Sequence, residues 1–69
     1  MIDIKSFGQR ISELRHNADL KQQDVAKKCF VSIQAVSKWE RGQSCPDLLI
    51  LDDLALALGV KIKDLFGEN

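Results

Sequence analysis

The stretch from Ser32 to Gly42, Ser-Ile-Gln-Ala-Val-Ser-Lys-Trp-Glu-Arg-Gly, is marked at both ends as a short helix. The Ser32 hydroxyl can accept a hydrogen bond from the free N–H groups of the first turn. Gly42 can end the helix, because glycine adopts the left-handed conformation without a steric penalty. Between these ends, apolar residues three and four apart form a narrow stripe: Ala35, Val36 and Trp39. The stretch therefore predicts a helix that packs one face against the rest of the chain.

The opposite face of this helix presents a set of mostly polar side chains: Ile33, Gln34, Ser37, Lys38 and Arg41. The set combines an amide, a hydroxyl, two cations and one branched apolar group, while Glu40 sits off the face. Such a face suits the DNA major groove, which offers acceptors, donors and thymine methyl groups. An ordinary amphipathic helix with a solvated cationic side fits the same residues, so this stretch alone leaves both interpretations open.

The length of 69 residues is sufficient for a single domain, which we expect to span residues 1–69. Chains of this size bury only about 60% of their unfolded surface and need compact helical packing. The hydrophobic fraction of 45% and the charged fraction of 29% are typical of a soluble globular protein. No apolar run approaches the roughly 18 residues of a membrane span, and no signal-peptide pattern opens the chain, so we expect a cytoplasmic protein.

The titratable and nucleophilic residues do not form a recognisable catalytic or metal site. Cys29 falls where a helix needs a small core residue and Cys45 falls in a loop, so we expect free thiols. The spacing of the cysteines is wrong for zinc, and His16 is not placed to complete a site. Without a nucleophile–base motif or a glycine-rich phosphate loop, an enzyme is disfavoured. We expect no cofactor, no metal and no small-molecule site.

The charges are unevenly distributed along the chain although the net charge is zero. Residues 1–20 balance, with three acids and three bases. Residues 21–41 carry five bases and two acids, for +3, and residues 42–69 carry two bases and five acids, for −3. The positive end of this dipole therefore coincides with the segment that contains the Ser32–Gly42 helix.

Two further helices are predicted before Ser32. The first has Asp3 as its N-cap and ends at a turn over residues 17–19. Its apolar face has helical spacing and consists of Ile4, Phe7, Ile11, Leu14 and Ala18. The second runs from about Gln22 to Cys29, with Val25, Ala26 and Cys29 on its inner face. Lys21 is a poor N-cap for it, because the lysine side chain has no acceptor. Two short helices joined by a tight turn form a helix-turn-helix, here at about residues 22–41.

From Leu20 to Gly42 the sequence resembles the phage-repressor-like (Cro/cI, XRE) helix-turn-helix family. The resemblance rests on Gln22, Val25-Ala26, the Ser37-Lys-Trp-Glu-Arg-Gly42 run, Pro46, and Leu-Ala-x-Ala-Leu-Gly-Val at residues 54–60. It extends over nearly the whole chain, from about Ile4 to Phe66. The chain departs from the family at Lys21, where Ser or Thr is usual, and at Phe30 and Asp19, where Gly is frequent. The departures at Lys21 and Phe30 imply a less ideal second helix, or a turn braced by burial of the Phe30 ring.

The segment after Gly42 predicts two more helices and completes an all-α, compact five-helix bundle. Pro46 suits the first turn of the fourth helix, Gly59 ends it, and a short fifth helix spans Lys61 to Phe66. The fourth helix has an inner stripe of Leu48, Leu51, Leu54, Ala55 and Leu58. Leu49 and Leu56 lie off that stripe, either as scattered surface residues or, with Phe66, as a protein–protein patch. The ending from Phe66 to Asn69 suits a linker or a terminus.

The resemblance implies roles for individual residues. Helix three would lie in the major groove, with Ile33, Gln34, Ser37 and Lys38 at base-contact positions. Phosphate contacts would come from Gln22, Arg41 and Gln43. Arg15 and Glu40 match an ion pair that orients helix one against helix three, the alternative being a solvated surface pair. Trp39 could stack on a base, but its spacing with Val36 favours the core.

The function that this resemblance implies is a sequence-specific transcriptional regulator, a repressor, that binds double-stranded DNA as a homodimer on a palindromic operator. The alternative is an antitoxin-type or adaptor module that keeps the fold and acts through a protein partner, since fold does not determine function.

Overall fold

A computed structural model describes residues 3–67 and contains four α-helices within that range. They are α1 (Ile4–Asn17), α2 (Gln22–Cys29), α3 (Ile33–Glu40) and α4 (Leu51–Leu58). Two short 3₁₀ turns flank α4, at Leu48–Ile50 and at Ile62–Phe66. The all-α class is confirmed, with no strand among residues 3–67. The last two residues of the expected linker or terminus, Glu68 and Asn69, lie outside the described residues.

The prediction of a fifth helix is wrong, because Ile62–Phe66 forms a 3₁₀ turn. The segment is only five residues long and ends at Gly67, whose φ is 73°. The first turn of an α-helix fixes several residues for a single hydrogen bond, so its formation is unfavourable unless further turns follow. A segment this short therefore forms the tighter 3₁₀ turn. Even so, it buries Leu65 completely, and Arg10 Nε donates to the Asp64 carbonyl at 2.9 Å.

The start of the fourth helix also differs from its prediction. Pro46 is buried and precedes the first 3₁₀ turn, so it does not occupy the first turn of α4. Leu48, predicted on the inner stripe, is 82% exposed. A 3₁₀ turn has three residues per turn rather than 3.6, so helical spacing extended backwards from α4 assigns the wrong face to Leu48. Leu54, Ala55 and Leu58 are buried as predicted.

One apolar core holds the helices together. Its completely buried members come from every α-helix and from the second 3₁₀ turn: Ile11, Val25, Val36, Leu54 and Leu65. Most of the predicted inner positions are confirmed, including Phe7, Leu14, Ala26 and Cys29. Ile4 is 38% exposed, and Ala18 is exposed because α1 ends one residue before it. No helix among residues 3–67 is both long and apolar enough to cross a membrane.

Both cysteines are unpaired, Cys29 in the core and Cys45 exposed. Burial, together with the negative charge of Asp53, raises the pKa of the Cys29 thiol. The thiol therefore stays protonated and behaves as a small apolar core residue between α2 and α4.

The turns around α2 use two non-glycine residues in the left-handed conformation, Asp19 and Phe30, each with φ of 59°. The predicted turn is thus confirmed at residues 18–19, while residue 17 still belongs to α1. Lys21 makes no side-chain cap, and instead Asp24 Oδ2 accepts from the Lys21 backbone N–H at 2.8 Å. The idea that the Phe30 ring braces the next turn by burial is wrong, because Phe30 is 89% exposed. Its backbone occupies the position that terminates α2, and this directs the side chain into solvent.

Candidate nucleic-acid interface

The orientation of α3 is set by its caps and its buried stripe. Ser32 Oγ accepts a hydrogen bond from the Ala35 backbone N–H at 3.1 Å, and Gly42 adopts a φ of 74° beyond the last turn. Val36 is completely buried and Trp39 is 4% exposed, so Trp39 is a core residue. The opposite face of the helix is thereby turned away from the core.

The base-contact candidates lie on that outer face within two helical turns. Ile33 is 46% exposed, Gln34 and Lys38 are exposed, and Ser37 is half-buried. At a rise of 1.5 Å per residue, the distance along the axis from Ile33 to Lys38 is about 7.5 Å. The structure therefore brings the four residues together as one short, accessible surface that can donate, accept and make apolar contact.

A glycine in α1 allows α3 to approach closely. A Cβ atom placed on Gly8 would lie 2.2 Å from the Trp39 carbonyl oxygen and 3.0 Å from the Glu40 carbonyl oxygen. Only a residue without a side chain fits this contact. The sequence contained a signal for it, because a glycine inside an amphipathic helix is unfavourable unless packing requires it. Gly8 thus determines how closely the last turn of α3 packs against α1.

A hydrogen-bonded cluster joins α1, α2 and α3 beside this contact. Arg15 Nε donates to Glu40 Oε2 at 2.6 Å, and Arg15 Nη2 donates to Glu40 Oε1 at 3.0 Å. The side chains are only 11% and 7% exposed, so this is a two-pronged and largely buried pair rather than a solvated one. Arg15 Nη1 also donates to the Leu20 carbonyl at 2.9 Å, which ties down the turn before α2.

The Glu40 carboxylate is kept ionised by its partners. Burial by itself would raise the pKa of Glu40, but the hydrogen bonds from Arg15 and Gln22, together with the charges of Arg15 and His16, outweigh it. The pKa of Glu40 therefore lies below its ordinary value of 4.5. At neutral pH the group is a charged acceptor.

The phosphate-contact candidates occupy both ends of the helix-turn-helix. Gln22 is the first residue of α2 and is half-buried, and its Nε2 donates to Glu40 Oε1 at 3.1 Å. Sequence reasoning did not foresee this bond. At the other end, Arg41 and Gln43 are exposed just after α3, and Arg41 Nε lies 3.3 Å from the Ser37 carbonyl. Because Glu40 immediately precedes Arg41, the bond from Gln22 places its side chain near the C-terminal end of α3.

The residues of the candidate protein–protein patch are divided between two environments. Leu49 is 89% exposed and Leu56 is 78% exposed. Phe66 is half-buried, and its ring stacks on Phe7 with 5.2 Å between ring centroids. The two leucines are therefore the exposed members of this candidate patch.

Comparison with known proteins identifies sequence relatives. A family model described as "Helix-turn-helix" matches residues 11–65. The chain is 33% identical over 64 residues to the HTH-type transcriptional activator BcrR of Enterococcus faecalis, covering 91% of this chain and 31% of that protein. It is also 33% identical over 64 residues to the immunity repressor protein of Bacillus phage phi105, covering 93% of this chain and 44% of the repressor. The chain thus spans less than half the length of these relatives.

A solved structure shares the arrangement of the helices. The restriction-modification controller protein C.AhdI from Aeromonas hydrophila matches with a TM-score of 0.88 and 35% sequence identity. The alignment covers 96% of this chain and 100% of that chain.

Proposed function

The chain belongs to the helix-turn-helix family, and from this premise we propose that it is a sequence-specific transcriptional regulator that binds double-stranded DNA. The family match over residues 11–65 confirms the phage-repressor-like resemblance of the sequence. The observation that carries the proposal is the accessible outer face of α3, held outward by the burial of Val36 and Trp39. The role is one of binding rather than catalysis, and it places the protein in the cytoplasm, with the DNA.

We propose that α3 enters the major groove and reads base edges. Gln34 can form a two-pronged pair with adenine N6 and N7, and Lys38 can donate to guanine O6 and N7. Ile33 can contact a thymine methyl group, and the Ser37 hydroxyl can donate or accept. The exposure of Ile33, Gln34 and Lys38 supports these roles, because each side chain is available without rearrangement of the fold.

The residues at the start of α2 and just after α3 would contact phosphates of the DNA backbone. Gln22 stands at the N-terminus of α2, where free backbone N–H groups and the helix dipole favour a phosphate. Arg41 and Gln43, exposed just after the C-terminal end of α3, would contact further phosphates. The charge of +3 on residues 21–41 supports this orientation toward a polyanion.

A homodimer on a palindromic operator completes the proposal. Leu49 and Leu56, 89% and 78% exposed, offer an apolar surface for a second copy. Two copies related by a two-fold axis would place their α3 helices about 34–36 Å apart, one turn of the duplex. Occupation of such a site would exclude other proteins from it, which is the basis for expecting repression.

Selection of bound duplexes from a random DNA pool tests the proposal. We expect enrichment of a palindrome whose half-sites are one helical turn apart, with sedimentation then giving a stoichiometry of two chains per duplex. If no sequence is enriched and the protein ignores all duplexes at low ionic strength, the regulator is excluded and the antitoxin-type or adaptor module stands in its place.

A further inference from the structure

We propose that Glu40 is a positioning residue for DNA binding, which acts by holding the Gln22 side-chain amide in the orientation that a phosphate requires. The inference rests on the proposed function, since Gln22 is a phosphate-contact candidate there. It goes beyond an ion pair between α1 and α3, because the Glu40 carboxylate also orients a side chain at the start of α2.

The geometry of Glu40 allows it to hold two partners at once. Its Oε2 accepts from Arg15 Nε at 2.6 Å, while its Oε1 accepts from both Arg15 Nη2 at 3.0 Å and Gln22 Nε2 at 3.1 Å. Glu40 ends α3 and Gln22 begins α2, so one oxygen atom links the first residue of one helix to the last residue of the next.

An ionised carboxylate accepts hydrogen bonds and cannot donate them. It therefore selects one orientation of the Gln22 amide, with the NH₂ group toward Glu40, because the flipped amide would place oxygen against oxygen. One N–H of Gln22 is used in this way. The second N–H has no partner among residues 3–67 and remains available for an external acceptor.

Arg15 makes a carboxylate tolerable at this place. A bare negative charge next to the DNA backbone would repel phosphates, but the two-pronged pair with Arg15 is neutral as a unit. The low exposure of both side chains also restricts their movement. Glu40 thus offers Gln22 a strong acceptor without adding net charge to the interface.

Holding the amide before DNA arrives should strengthen binding. A long polar side chain that becomes immobile on association loses rotamer freedom, which weakens the complex. If Gln22 is already fixed by Glu40, most of that loss has occurred in the free protein. Gln23, the adjacent glutamine, is exposed and has no such partner among the described residues, so it is a matched internal control.

The first test measures side-chain order in the free wild-type protein by NMR relaxation of the glutamine Nε2 groups. We expect an order parameter for Gln22 near the roughly 0.85 of rigid backbone, and a value for Gln23 below about 0.6. Equal mobility of the two amides would overturn the proposal. This measurement requires no variant and does not depend on DNA.

The second test is a double-mutant cycle on affinity for a DNA duplex selected by the protein, using Gln22→Ala, Glu40→Gln and the double variant. An amide at residue 40 both donates and accepts, so it no longer selects one orientation of Gln22. We expect Gln22→Ala to weaken binding about tenfold and Glu40→Gln about threefold. The double variant should bind as Gln22→Ala does, because Glu40 acts through Gln22.

Each affinity is calculated with the concentration of folded protein, which circular dichroism measures for every variant. The control variant Gln23→Ala should bind as wild type. Independent, multiplicative losses in the double variant would assign Glu40 a merely structural role and overturn the inference. So would wild-type affinity for Gln22→Ala, and the DNA-binding function would then still stand. A protein that binds no duplex would overturn both.

Discussion

Gly8 of α1 and the carbonyl oxygen of Trp39 in α3 are so close that a Cβ atom on residue 8 would lie 2.2 Å from that oxygen. The contact brings the backbones of the two helices together at the last turn of α3, which also carries Glu40, the partner of Arg15. The position of α3, the helix that we propose reads DNA, therefore depends on a residue that lies on a different helix.

The first prediction concerns this contact. Gly8→Ala should lower the free energy of unfolding by about 2 kcal/mol, because α1 and α3 must separate to admit the methyl group. Helix propensity alone would give the opposite sign, since alanine is favoured over glycine by up to about 1 kcal/mol. Urea denaturation measures the difference. Gln9→Ala, at an exposed position of the same helix, should change stability by less than about 0.5 kcal/mol. A stabilised Gly8→Ala protein would contradict the close approach.

The lowered pKa of Glu40 predicts a contribution to acid sensitivity. Because the pKa is lower in the folded than in the unfolded chain, the stabilisation is present above about 4.5 and is lost as pH falls through the folded value. Urea denaturation between pH 7 and pH 3 should show a steeper loss for wild type than for Glu40→Gln below about pH 4.5. The variant should be less stable at pH 7, with the two proteins converging in acid. If the free energies of unfolding of the two proteins changed with pH in parallel, the pKa of Glu40 would be the same in the folded and the unfolded chain.

Phe30 predicts a substitution that increases stability. Its φ of 59° is unfavourable for a residue with a side chain, and its ring is 89% exposed and so adds little burial. Phe30→Gly should raise the free energy of unfolding by about 0.5–1 kcal/mol, after allowance for the greater freedom of glycine in the unfolded chain. Phe30→Ala keeps the strain, removes the ring and should match wild type. A large loss in the alanine variant would reveal a contact made by the ring.

The base-contact roles predict a loss of discrimination. Lys38→Ala and Gln34→Ala should each weaken binding to the selected palindrome about tenfold or more, and weaken binding to a scrambled duplex much less. Fluorescence anisotropy on both duplexes gives the ratio. Lys63→Ala removes an exposed lysine from the second 3₁₀ turn and should leave that ratio unchanged. Equal losses on the two duplexes would count against base readout.

Arg41 and Gln43 give a matched pair for the phosphate contacts. Arg41→Ala should reduce the slope of log affinity against log salt by about 0.9, because one fewer phosphate is neutralised. Gln43→Ala should weaken binding similarly on all sequences, but leave the slope as it is, because glutamine carries no charge. A salt series that shows the same slope for wild type and Arg41→Ala would refute the contact assigned to Arg41.

Much of the local structure was predictable because the signals lie close together in sequence. The bounds of α2 matched the prediction, and the Ser32 cap and the left-handed Gly42 appear at the predicted ends of α3. Prediction was less accurate where helical periodicity was extended beyond the helices. Leu48 was assigned to the wrong face because a 3₁₀ turn precedes α4. Residues 62–66 were too few to form an α-helix.

The amino-acid sequence was sufficient to predict that α3 buries Val36 and Trp39 and exposes Ile33, Gln34 and Lys38, since that division follows from a repeat of 3.6 residues and two capping residues. The tertiary fold alone determined the hydrogen bond between Gln22 and Glu40, 18 residues apart, and the contact of Gly8 with the Trp39 carbonyl. Capping and periodicity act within a few residues, whereas those contacts depend on the distance and angle between packed helices. These quantities are set by the whole core and are not encoded at any one position in the sequence.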